Sequence, residues 1–105
     1  MMVLKAIDGN KEKLEAIATL LISERLLANA TIDAPAVFYE ADTIGVPQKK
    51  QTHVLSGISK SLLFKTINDL LRSTYQDEMP LLYSEPIIML DPEHTEQIIA
   101  KLVKT

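Results

Sequence analysis

Two periods of apolar residues alternate along the chain. Residues 2–7 (Met-Val-Leu-Lys-Ala-Ile) form a short apolar run that predicts a first strand. Asp8-Gly9-Asn10 is a turn signal. Asn10, or Asp8, can cap a helix there, with Glu12 facing the positive end of its dipole. Leu14, Ile17, Ala18 and Leu21 recur at helical spacing, predicting a helix to about Ala28. Lys11, Lys13, Glu15, Glu24 and Arg25 are expected on its solvent side, and Asn29 is expected to end it in a left-handed conformation.

The segment Ala30 to Glu40 is β-rich, with Pro35 predicting a bulge or an edge. Ala41 to Lys50 carries Asp42, Gly45 and Pro47 and has the chemistry of a hairpin loop. A third strand is predicted over about Gln51 to Ile58. Ser59 or Ser61 then caps a second helix, whose buried face is Leu63, Ile67, Leu70 and Leu71. A polar connection, Tyr75 to Pro80, leads to a fourth strand over Leu81 to Leu90, broken by Pro86. Asp91-Pro92 opens a C-terminal helix, with the acid as cap and proline in the first turn.

The predicted order is β-α-β-β-α-β-α. Its first six elements are the ferredoxin-like βαββαβ arrangement, an α+β fold with an antiparallel sheet, two helices on one face and an extra C-terminal helix. All 105 residues are assigned to one domain. Ile32, Val37, Phe38, Ile44, Val46, Val54 and Leu55 are more β-region apolar residues than one covered sheet face needs. Burial of the second face or of the hairpin in an oligomer is therefore expected.

Composition narrows the chemistry. Eleven Lys and Arg against 14 Asp and Glu give a net charge of −3, which argues against a nucleic-acid binder. The absence of Cys excludes disulfides, cysteine nucleophiles and thiolate zinc sites. With 5% aromatic residues and no Trp, the core rests on aliphatic side chains. No apolar run has the length of a membrane span, and the first residues lack the form of a signal peptide, so a cytoplasmic protein is expected.

Residues 17–32 (IATLLISERLLANATI) resemble the first helix and following strand of the CutA family of divalent-cation tolerance proteins, with spacing that matches without a gap. Later segments agree in order: a strand running into a helix after Val54, Glu78-Met79-Pro80 at the family's Glu-Val-Pro, and Tyr39 at its tyrosine. The resemblance implies a trimer in which long hairpins pair across subunits, a non-catalytic binding or scaffold role, and a divalent metal ion as ligand. Asn29 stands where the family has cysteine and Ala41 where it has tryptophan, and the histidine before the Glu-Val-Pro segment has no counterpart. Thiolate and imidazole are the groups a soft ion prefers.

Candidate chemistry is sparse. His53 lies mid-strand and is expected as a pore-lining or surface histidine; His94 opens the last helix beside Asp91 and Glu93 and is expected as a solvated first-turn residue. Asp77 and Glu78 are neighbours and point apart in extended chain, so they form no acid–base pair by spacing. Tyr75 and Tyr83 flank the same segment. Tyr39, Tyr75, Glu78 and Tyr83 are the candidate ligand-binding residues, with Tyr39 contributed by a neighbouring subunit; packing of the tyrosines with satisfied hydroxyls is the alternative. No phosphate loop or serine elbow is present. A second functional class stays open: a module like the PII regulators, binding a nucleotide or small anion between subunits, with Lys49 and Lys50 available for phosphate.

Overall fold

A computed structural model describes residues 1–33 and 35–104. Ala34, inside the predicted second strand, lies outside the described residues. The chain runs β1 (Met2–Asp8), α1 (Lys11–Ser23), β2 (Thr31–Ile32), β3 (Ala36–Ala41), β4 (Pro47–Ser59), α2 (Phe64–Tyr75), β5 (Leu81–Pro86) and α3 (Pro92–Lys101). Single 3₁₀ turns precede α2 and link it to β5. The sheet order is β2-β4-β1-β5, and every pairing is antiparallel. This is the ferredoxin-like arrangement, with the second strand divided into β2 and β3.

Alternation along β1 and β4 separates two faces. Met2, Leu4, Ala6 and Leu55 are buried and pack with Leu14, Ile17 and Leu21 of α1 and Ile67 and Leu71 of α2. Ile98 and Leu102 bring α3 into the same core. The opposite face carries Val3, Ile7, Val54 and Ile58, half-buried, with Leu81 and Tyr83 exposed. Among the described residues no helix covers it.

β4 is longer than the sequence suggests. It begins at Pro47, so Gln48, Lys49 and Lys50 are strand and not loop. The turn shrinks to Thr43, Ile44 and Gly45, closed by Asp42 and Val46. The Asp42 carboxylate accepts from the amides of Ile44 (2.9 Å) and Val46 (2.8 Å), and Gly45 supplies φ +86°. β1 ends opposite His53, so the β3–β4 hairpin projects beyond the sheet as an arm, within a chain 46 Å long. Ile32 faces Leu55 and Ala36 faces Thr52; four steps along one side match three along the other. The slip of one residue falls between Ile32 and Ala36, the stretch where Pro35 predicts a bulge or an edge.

Other boundaries move for local reasons. α1 stops at Ser23, and the left-handed residue after it is Arg25 at φ +60°, not Asn29. Arg25 donates to the carbonyls of Ala100 (2.8 Å) and Lys101 (3.3 Å), groups otherwise orphaned at the end of α3. Asn29 instead accepts the Ile58 amide. Neither Ser59 nor Ser61 caps α2: Ser59 is buried and donates to the Leu26 carbonyl at 2.6 Å. β5 ends at Pro86, short of the expected Leu90. Asn10 and Asp91 cap α1 and α3 as predicted.

Candidate functional site

Asp8, the last residue of β1, accepts from the Asn10 amide, which orders the turn into α1. One turn into α1, Lys13 reaches back to the Asp8 carboxylate at 3.2 Å and across to the Glu78 carbonyl at 2.9 Å. Its ammonium lies 6.0 Å from the centre of the Tyr75 ring. Helical spacing puts Lys13 on the solvent side, yet its side chain is only 14% exposed. It pins the α2–β5 connection to the β1–α1 turn and brings two of the four candidate residues, Tyr75 and Glu78, together. Its bond to Glu78 uses the backbone, and Glu78 itself is exposed.

The other two candidates lie elsewhere in the chain. Tyr83 stands on the uncovered sheet face, opposite Lys5. Tyr39 is on the arm, 63% exposed, paired with Lys49. Within one chain the four do not share a pocket.

His53 faces Asp8 across the β1–β4 ladder, and its Nδ1 is buried without a hydrogen-bond partner among the described residues. His94 Nδ1 lies 2.8 Å from Asp91 Oδ2 in an exposed pair. The backbone amide of His94, and then its ring, hold the Asp91 carboxyl below its usual range. Among the described residues no three His, Asp or Glu gather in a way that could hold a metal ion. His94 and Asp91 alone do not make a ligand set for a divalent ion.

The structure also has a cavity of about 390 Å³ that no sequence pattern announces. It sits where β1 ends and the arm departs, between Phe38, Thr52, Arg72, Met79 and Leu81. These residues come from separate segments, and no local pattern links them. None of the four candidate residues lines it.

No family sequence model matches the chain, and no curated protein matches it in sequence. Solved structures do. The chain is similar to CutA1 from Oryza sativa, with 18% identity over 99% of this chain and 94% of that one and a TM-score of 0.87. A periplasmic divalent cation tolerance protein CutA from Archaeoglobus fulgidus shares 19% identity over 96% and 98% of the two chains, with a TM-score of 0.84. The divalent cation tolerance protein of Thermus thermophilus shares 20% over 91% and 93%, with a TM-score of 0.82. The chain has the CutA fold throughout its length. Among the described residues no helix is long and apolar enough to cross a membrane.

Proposed function

We propose that the chain is a divergent member of the CutA divalent-cation tolerance family, acting as a homotrimeric, non-catalytic binding or scaffold protein in metal tolerance or response. The observation that carries this reading is the match in fold to CutA proteins over nearly the whole of both chains. The trimer has its own physical support. An antiparallel sheet covered on one face ordinarily turns polar residues to the other. Here Val3, Ile7, Val54, Ile58, Leu81 and Tyr83 occupy that other face, and the arm exposes Val37, Tyr39, Ile44 and Val46. Copies of the same chain are the partner that covers them.

In such a trimer the arm of one copy carries Tyr39 toward its neighbour. The proposed ligand pocket joins that tyrosine to Tyr75 and Glu78 of the neighbouring copy. A divalent ion would draw donors from more than one copy, since one chain offers no ligand set among its described residues. Calorimetric titration with copper and zinc tests this. Binding of a divalent ion that weakens in Glu78→Gln is expected; an unchanged isotherm for every ion contradicts the pocket.

The PII-like alternative has less support. Lys50 is engaged with Glu40 at 2.8 Å, and the turn of the arm is short, which leaves little of a phosphate-binding switch loop. ATP binding that changes hydrogen exchange over residues 41–50 would favour it over the CutA reading.

A further inference from the structure

We infer that the cavity at the root of the arm is a binding site for a small organic monocarboxylate with an apolar body. This does not rest on the metal-tolerance reading. A cavity of about 390 Å³ is within the range of small-molecule sites. Much of its wall is apolar: Ile7, Phe38, Met79, Pro80 and Leu81. Four charged residues also line it, and three of them are engaged. Asp8 is bound to Lys13 at 3.2 Å, and Glu40 to Lys50 at 2.8 Å. Arg72 is the remaining charge, with no acidic partner among the described residues. A guanidinium presents paired donors matched to a carboxylate.

A second observation points into the same space. Thr52, a polar residue only 3% exposed, lines the cavity. A ligand oxygen entering the cavity would meet a hydroxyl-bearing residue in its wall. The charge balance also selects against polyanions. A triphosphate would set several negative charges against one unpaired cation, with the carboxylates of Asp8 and Glu40 nearby. A single carboxylate on an aromatic or branched aliphatic body satisfies Arg72, Thr52 and the apolar wall together.

The test is an amide chemical-shift titration of the full chain, as it assembles in solution, with phenylacetate, phenylacetamide and ATP. Phenylacetate is expected to move the Phe38, Thr52, Met79 and Leu81 signals saturably, and phenylacetamide at least about tenfold more weakly. Arg72→Gln should weaken phenylacetate by about tenfold or more, with the protein still folded, because Arg72 is an exposed residue of the last turn of α2. Thr52→Val, close to isosteric, should weaken it severalfold. Equal affinity for acid and amide overturns the proposal. So does Arg72→Gln with unchanged binding, ATP binding at these residues more tightly than phenylacetate, or no shift with phenylacetate at all.

Discussion

Gly57 of β4 lies directly against the backbone of Asn29: a Cβ on Gly57 would stand 2.2 Å from the Asn29 carbonyl oxygen and 2.8 Å from a Leu27 methyl. The segment after α1 crosses the sheet here, and only a residue without a side chain lets it come so close. Gly57→Ala should cost roughly 3 kcal/mol, at the upper end for overpacking, because the obstacle is backbone. Chemical denaturation measures it. A loss below about 1 kcal/mol would show that this crossing relaxes easily.

Arg25 combines a left-handed backbone with two bonds to the end of α3. Two opposing effects can be separated by two substitutions. Arg25→Ala loses the bonds and keeps the conformational cost; Arg25→Gly loses the bonds and relieves it. Both should destabilise, with Ala worse than Gly by about 1 kcal/mol. Amide exchange in α3 should rise in both. Equal stabilities would mean that the left-handed residue carries no cost at this position.

The Lys13–Asp8 pair is mostly shielded from solvent, with side chains 14% and 17% exposed. Exposed pairs contribute about 0–1 kcal/mol, and shielded ones couple more strongly. A double-mutant cycle with Lys13→Met and Asp8→Asn should give a coupling above about 1 kcal/mol. Lys13→Met should also loosen residues 76–78, because the Glu78 carbonyl loses its donor. A coupling near zero would leave Lys13 a surface residue, as its place in the helical pattern suggests.

The tip of the arm should respond to acid. The amides of Val46 and then Ile44 donate to the Asp42 carboxylate and lower its pKa. A lowered carboxyl contributes order that is complete above its ordinary pKa and lost as pH falls through the lowered value. Exchange protection at Ile44 and Val46 should therefore hold at neutral pH and decay in the acid range, with the sheet intact. Asp42→Ala should give the same loss at pH 7. Protection independent of pH in the native chain would rule out the carboxylate as the clamp.

Much of the fold is legible in the sequence because the signals are local. The apolar period of Leu14, Ile17 and Leu21, the caps Asn10 and Asp91, and the turn residues Asp42 and Gly45 each act within a few residues, and each does what its pattern predicts. What the pattern misses depends on distant partners. Lys13 and Arg25 look like solvent-side charges until β1, α2 and α3 arrive around them. Lys49 and Lys50 read as loop because β4 is polar from Gln48 to His53, with no apolar alternation to announce its pairing with β3. The cavity is invisible for the same reason: Thr52, Arg72 and Leu81 meet only through the topology. Tyr75 and Glu78 both neighbour Lys13, whereas Tyr83, a few residues on, stands on the other sheet face.

The uncovered sheet face and the projecting arm carry the proposed assembly, and solution mass tests it most directly. Light scattering coupled to size exclusion should give a single species of three chains, each 11.7 kDa. It should persist on dilution, since three sheet faces and three arms are buried at once. A stable, monodisperse 11.7 kDa monomer would contradict the trimer, the intersubunit pocket and the metal-tolerance reading built on them.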